Sequence, residues 1–309
     1  PDVLGSNEGQ VGRELASRIE IVRQDVKIPY AEAQAKPNSL AGLLALNLGT
    51  VASTQDGAVV AYRHKITKAV AYSLPSIGAQ VKHEGGRQYK YTGLKGDGYT
   101  LAMNGDYVRL DAPLLGSGTR GTAADAFTAA ISENPLLWAN AKIFVKATSG
   151  AISIPTTPAQ GAANLGGSEV NLSTRILDFS HAWTGALAGP AGYRAGSNVR
   201  QNLKAGRRSG IVKFGLEVDV ATEATELDYY LNQSKLALEL NIDSGTIIAN
   251  TGAFKYGLIM IIPQIQFKTI GKSVEGEYEK IDYDGTIMDD GTNSEVVIFI
   301  YNAQTTYLA

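Results

Sequence analysis

The sequence predicts a mainly β chain, arranged as two tandem β-sandwich or half-barrel domains that each carry one short α-helix. Three observations point there. Apolar and polar residues alternate through many runs of strand length, separated by glycine-rich turns. The 34 glycines, and tyrosine (15) in excess of phenylalanine (7), favour turns and pleated surfaces over a helical bundle. Each half follows one order of parts: a strand, a short capped helix, then antiparallel strands with little helix.

Residues 1–17 are polar and glycine-rich, an arm expected to have no fold of its own until something docks it. RIEIVRQDVKIPY (18–30) reads as a strand. NSLAGLLALNLG (38–49) opens on a capping Asn or Ser, clusters leucines and stops on glycine, so it reads as a helix. In AVVAYRHKITKAVAYS (58–73), Val60, Tyr62, Ile66, Val70 and Tyr72 share one strand face. IGAQVKHE, RQYKYTGL, GYTLAMN and DYVRLDAPLL follow as a meander, with Asn104-Gly105 as a hairpin signal. A helix-compatible patch at 121–133 leads to the strand WANAKIFVKAT and then to a Ser/Thr/Pro/Ala/Gly stretch at 148–168. The change of character from 116 to 167 marks a domain boundary, dividing 18–134 from 135–309.

The second half has the clearer rhythm. VNLSTRILDFS (170–180) is a strand, and 183–209 is a long, basic, glycine-rich loop. In GIVKFGLEVDVA, Val212, Phe214, Leu216, Val218 and Val220 alternate with polar residues, a half-buried strand. TEATELDYYLNQSK is a capped helix striped by Leu227, Tyr230 and Leu231. LALELNID turns Leu236, Leu238, Leu240 and Ile242 inward, and FKYGLIMIIPQIQFK, EGEYEKIDYDGTIM and SEVVIFIYN add three strands. YKYTGLKGDGYTLAM (89–103) and FKYGLIMIIPQIQFK (254–268) look distantly related, which fits an internal duplication.

Composition narrows the function. With 309 residues, 44% hydrophobic and 19% charged, the chain can bury a core. A formal charge of −2 disfavours tight nucleic-acid binding, so any relation to DNA is passive. The absence of cysteine excludes disulfides and thiolate metal sites. No run approaches the roughly 18 apolar residues of a membrane span, and the start lacks the features of a signal peptide. A soluble protein used without export is expected.

The chemical motifs are incomplete. Gly116, Gly118 and Gly121 match Gly-x-Gly-x-x-Gly, but a dinucleotide cradle needs a βαβ unit and the preceding elements are hairpins, so the glycines read as a hinge. Thr-Ile-Gly-Lys-Ser (269–273) ends like a phosphate loop, yet Gln266 stands where the first glycine belongs. Asp282, Asp284, Asp289, Asp290 and Glu295 cluster without the register of a calcium loop. His64, His83 and His181 lie far apart, none beside a nucleophile. No catalytic residue, cofactor site or metal site is expected, and the chain is not read as an enzyme.

The 183–209 loop is long enough to be functional, and Tyr193, Arg194, Arg200, Lys204, Arg207 and Arg208 mark it as a candidate assembly element. Its basic face suits an acidic surface such as EGEYEKIDYD on another molecule. The alternative is a loop with no partner.

The strand GRRSGIVKFGLEVDV, the helix TELDYYLNQSK, the strand LALELNID and the terminal strands FKYGLIMIIPQIQF and SEVVIFIYN resemble the tail tube (major tail) proteins of long-tailed bacteriophages, in their duplicated-domain form. NSLAGLLALNLG, YKYTGLKGDGYTLAMNGDYVRLDAPLL and WANAKIFVKA carry a weaker likeness, and 116–168 carries none. The resemblance implies a structural virion protein without a cofactor. Each unit would add a small sheet to a β-barrel around a pore. Six units would close a ring, so three chains suffice, and stacked rings would form a tube through which DNA passes without tight binding. The implied partners are further copies, a tape measure protein, and tail-tip and terminator proteins. The implied location is the virion tail, after assembly in the bacterial host cytoplasm.

A DNA-conducting lumen should be neutral or acidic. Glu275, Glu277 and Glu279, on one strand face by parity, and Gln264 and Gln266 are the lumen-lining candidates. Deleting 190–205 is expected to leave a folded monomer that cannot polymerise. The rival reading is a non-catalytic β-sandwich binding module, a baseplate or carbohydrate-binding surface protein. It would need an exposed aromatic platform from Trp138 or Trp183, the two tryptophans.

Overall fold

The computed structural model describes residues 2–6, 18–23, 26–57, 60–70, 74–82, 88–103, 105–116, 120–122, 133–187, 203–204, 206–219, 221, 223–249, 253–275 and 278–307. The chain opens with strands Asp2–Ser6 (β1), Arg18–Arg23 (β2), Val26–Ile28 (β3) and Ala31–Glu32 (β4), then helix Pro37–Leu48 (α1). Strands Gly49–Gln55 (β5), Tyr62–Lys68 (β6), Ile77–Lys82 (β7), Gln88–Gly96 (β8) and Tyr99–Met103 (β9) follow. Next come Arg109–Asp111 (β10), Leu114–Gly116 (β11), Arg120–Thr122 (β12), a 3-10 turn at Trp138–Asn140, and Lys142–Ala147 (β13). Val170–Asn171 (β14), Ile176–Thr184 (β15) and Ser209–Glu217 (β16) precede helix Glu223–Leu231 (α2). Leu236–Ile247 (β17), Lys255–Glu275 (β18), Tyr278–Ile287 (β19) and Val297–Asn302 (β20) complete the chain. The fold is mainly β, with two α-helices among the described residues and large antiparallel sheets.

The largest sheet forks on β18. One edge of this 21-residue strand is held by β17. The other pairs with β20 over 257–261 and with β19 over 265–275. Pro263, which has no N–H to give, falls in the gap where the partner changes and the β17 register shifts. From the fork one branch runs β20–β6–β5 and the other β19–β16–β15–β9–β10–β4, while β13 and β14 extend the β17 side. β6 pairs with β20 and β9 with β15, so strands from 18–134 and 135–309 share one sheet. They also share one core, which takes Ile66, Leu101 and Met103 together with Phe214, Leu238 and Ile298. β1 pairs with β2, so part of the arm that was expected to lack a fold is strand.

Helix α1 is apolar on nearly every side and is buried accordingly. It starts at Pro37, so Asn38 and Ser39 lie inside its first turn and do not cap it. The Glu133 carboxylate, from the far end of the first half, accepts the Asn38 N–H at 2.8 Å, where the helix dipole favours an anion. At the other end Gly49 takes a left-handed turn (φ 100°), a conformation glycine adopts without steric cost. The Arg208 guanidinium donates to Leu48 O at 3.2 Å and also to Ala69 O. Arg208→Ala is therefore expected to cost about 2 kcal/mol, read as a lower denaturant midpoint at unchanged slope.

The alternation in GIVKFGLEVDVA holds: Val212, Phe214 and Leu216 are buried, and Ile211 and Lys213 are exposed. β9 and β10 pair as the antiparallel hairpin expected there, with Ala102 opposite Arg109, while Asn104 itself lies outside the described residues. Among the described residues of 58–73, 62–68 are strand; Ile66 is buried, but Val60 and Val70 are exposed, and Tyr72 lies outside the described residues. Leu231, expected on the inner stripe of α2, is exposed as well.

A second sheet joins β7, β8, β11, β12 and β3. Gly116 and Gly121 lie in β11 and β12, both laddered on β8, so the glycine motif's ends are strand residues rather than a hinge. Gly118 and most of the helix-compatible patch lie outside the described residues.

Residues 148–168, the Ser/Thr/Pro/Ala/Gly stretch of the boundary region, form a strap over the outer face of the large sheet. Ile152 and Leu165 of the strap pack with Phe144, Ile259, Phe299 and Tyr301. Glu239 on β17 is fully buried beneath the strap; its carboxylate accepts both the backbone N–H and the side-chain amide of Asn164 at 2.6 Å. Burial raises its pKa despite these bonds. Gln160 bonds both backbone groups of Lys255, and Tyr301 Oη donates to Pro158 O at 2.7 Å.

Candidate assembly surface

β5 ends its branch of the large sheet, pairing with β6 on one side and with no other described strand. Its sequence, GTVASTQ, has neither charge nor proline, the two devices that usually blunt an edge. Thr50, Ala52 and Thr54 are exposed. The strand is held in place from within. His64, fully buried on β6, bridges Ser53 (Nδ1 to Oγ, 2.8 Å) and Asn302 (Nε2 to Oδ1, 3.0 Å). Asn302 in turn donates to Tyr307 Oη at 2.8 Å, and Tyr307 donates to Asn38 of α1. The remaining ends of the large sheet, β4 and β14, are two residues each. β5 is one long open edge among the described residues; the other is β18 over 266–275, which pairs only with β19 and is blunted by Lys268 and Lys272.

The lumen candidates separate. β18 stops at Glu275 and β19 begins at Tyr278, with those two residues paired. The chain reverses between them, so Glu275 and Glu279 are on different strands and the parity that would align three glutamates does not hold. Glu279 is exposed and stands opposite Val274, itself 72% exposed. Glu277 lies outside the described residues. Gln264 is buried, because β18 is covered on both faces where it forks. Gln266 is half-buried and donates to Gln233 at 3.2 Å.

The 183–209 loop is shorter than its composition suggests. Trp183 and Thr184 belong to β15, and Ser209 opens β16. Leu187 and Leu203 meet in a small buried cluster with Leu74 and Leu115, so both stems are anchored. Lys95 Nζ donates to Leu203 O at 2.9 Å, and the Leu187 N–H donates to Asp97 at 3.0 Å. Arg208 serves α1, whereas Lys204 and Arg207 are exposed. Tyr193, Arg194 and Arg200 lie outside the described residues.

The residues weighed for chemistry take structural places. Thr-Ile-Gly-Lys-Ser sits inside β18, laddered to β19. Asp284 pairs with Lys213 at 3.1 Å, Asp282 with Lys280 at 3.1 Å, and Glu295 with Lys68. Asp289 and Asp290 accept N–H groups of their own turn. His83 is outside the described residues. Among the described residues no group of three or more His, Asp or Glu is placed to hold a metal ion, and no helix is long and apolar enough to cross a membrane.

No protein-family model matches the chain, and no curated protein matches it. The functional reading therefore rests on the fold and on what its open edge can pair with.

Sequence reasoning missed the role of β5, which was not singled out as a strand at all. Its signal is modest: a run of β-compatible Thr, Val and Ser directly after the helix-stopping Gly49.

Proposed function

We propose that this chain is a structural subunit that polymerises through its sheet edges into rings, and that stacked rings form a hollow tube passing DNA, in the manner of phage tail tube proteins. The observation that carries the reading is β5, a seven-residue edge strand with neither charge nor proline, unlike the lysine-bearing open edge of β18 at 266–275. An open edge of this kind is an aggregation hazard in a monomer and is neutralised when a ring closes. β7, the outermost strand of the second sheet, is a six-residue edge of comparable length for the head-to-tail contact that a ring requires. The negative net charge suits a lumen that lets DNA slide.

On this reading three chains close a ring, further copies stack on it, and tape measure, tail-tip and terminator proteins bound the tube within a virion tail. The lumen assignments now favour the exposed Glu279 over the buried Gln264.

The rival binding module has less behind it. Trp183 is 3% exposed, and Trp138 is half-buried against the main core, so neither offers a flat platform for a sugar ring.

The loop is tested by deletion, but 190–205 would remove Leu203 from its cluster and Lys95's acceptor with it. Deleting 190–201 spares both. The expected product keeps the parent's thermal midpoint within a few degrees and sediments as a monomer where the parent polymerises. Normal tubes from the deletion would remove the loop from assembly.

A further inference from the structure

Three residues far apart in the sequence meet behind the open edge of β5. Ser53 Oγ lies 2.8 Å from Nδ1 of His64, and His64 Nε2 lies 3.0 Å from Oδ1 of Asn302. Neighbouring groups fix which atom gives each proton. Asn302 Oδ1 also accepts the Gln304 N–H at 2.9 Å, and Asn302 Nδ2 donates to Tyr307 Oη, so the amide orientation is set. An amide oxygen can only accept, so His64 carries its proton on Nε2. Nδ1 is then a bare acceptor, and the Ser53 hydroxyl donates to it. The Tyr307 ring stands edge-on to the imidazole, with centroids 4.7 Å apart and planes at 88°. His64 is fully buried, and burial lowers its pKa, so it stays neutral. Tyr307, the titratable group against it, is also held neutral by burial. Ser53, by contrast, is an exposed residue. The backbone adds one more group. Ala69 N–H donates to Leu48 O and Asp56 N–H to Ala61 O, at the two ends of the β5–β6 ladder. Even-numbered residues of β5 therefore exchange hydrogen bonds with β6, and Val51 and Ser53 turn their N–H and C=O to the open side.

We propose that Ser53 is an activated nucleophile, an acylation site that takes the acyl group of an activated ester, with His64 as its general base. Ser53 Oγ attacks the ester carbonyl carbon while its proton passes to His64 Nδ1. The bond from that carbon to the leaving oxygen then breaks, and the imidazolium returns the proton to the departing oxygen. The products are an acyl-serine and an alcohol. Asn302 is a positioning residue that holds the tautomer and the ring. The ring nitrogens are interchanged relative to the Ser-His-Asp triad, but the roles of nucleophile, base and orienting group are the same. With the Ser53 N–H as donor to the developing oxyanion, esters with a good leaving group are the expected acyl sources. The reaction belongs to the unassembled chain, whose edge is open, and does not depend on polymerisation.

The test treats the full chain with p-nitrophenyl acetate at a concentration where it is monomeric, and follows acetylated peptides by mass spectrometry. The expected result is acetylation of Ser53 about a hundredfold faster than of Ser149, an exposed serine with no described bond to a histidine. The Ser53 rate should be level from about pH 7 to 9, because His64 is already neutral there. The Ser149 rate should instead climb about tenfold per pH unit as alkoxide forms. His64→Gln should slow Ser53 acetylation by about a hundredfold. Asn302→Asp, whose carboxylate favours the imidazolium, should move the start of the level region to higher pH. Where His64→Gln does not fold, the pH profile of the unaltered chain decides. Ser53 acetylated no faster than Ser149, or at a rate that climbs in step with hydroxide, would overturn the inference and leave the three residues as a pin for β5.

Discussion

Thr50→Glu combined with Ala52→Glu should give a folded chain that stays monomeric at concentrations where the unaltered chain polymerises. Both residues are exposed on β5, two apart and so on one face of the strand. The fold should tolerate them. Position 50 stands opposite Thr67, and position 52 stands opposite Lys65, where a glutamate gains a favourable cross-strand partner. The cost to monomer stability is then within about 0.5 kcal/mol. The effect on assembly is far larger. Pairing this edge with another strand would partly desolvate two carboxylates, only one of which has a lysine (Lys65) beside it, at several kcal/mol in total. That raises the concentration needed for polymer by roughly a hundredfold or more. Sedimentation of the two proteins side by side checks it, with circular dichroism to confirm the fold. Polymer from the double variant at parental concentration would place the contact elsewhere.

The second large effect is on pH. His181 is fully buried on β15 between Leu101 of β9 and Val212 of β16, and neither ring nitrogen has a hydrogen-bond partner. Its nearest ring is Tyr99, whose centroid lies 5.3 Å away. Burial pushes its pKa down to about 3. The folded value lies below the unfolded value of about 6.5, so the unfolded chain binds the extra proton in between. Stability from this group is complete above about pH 6.5 and falls as the pH drops toward 3. The slope approaches about 1.4 kcal/mol per pH unit, for a total of roughly 5 kcal/mol. Glu239 and Glu133, whose pKa values are raised by burial, act in the opposite direction around their own titrations. His181→Leu separates these contributions. The variant should be about 1 kcal/mol more stable at pH 7, because an unsatisfied imidazole leaves the core, and its advantage should widen steadily as the pH falls. Urea midpoints for both proteins across pH 7 to 4 give the difference directly. A constant difference would mean that His181 does not titrate on unfolding.

What could be read from the sequence was set by period and punctuation. Val212, Phe214 and Leu216 on β16, and Leu236, Leu238, Leu240 and Ile242 on β17, alternate toward the main core as their spacing requires. Asn104-Gly105 marks its hairpin for local reasons. Two of the failures share a cause: a second structure covers what local pattern assigns to water. Glu239 and Asn241 sit at the polar positions of LALELNID, yet the 148–168 strap buries both, and nothing within that octapeptide signals it. Arg208 reads as one more cation in a basic loop until α1 places Leu48 O beside it. The glutamates at 275–279 were aligned by parity across a strand reversal, although Gly276 stands in the middle of the run.

The most direct measurement is negative-stain electron microscopy of the purified chain across a concentration series, with light scattering for mass. Self-assembly through β5 predicts hollow tubes or stacked rings with threefold or pseudo-sixfold end views, appearing above a threshold concentration. A monodisperse monomer at every concentration, unchanged when preformed tail tips are added to seed growth, would contradict it.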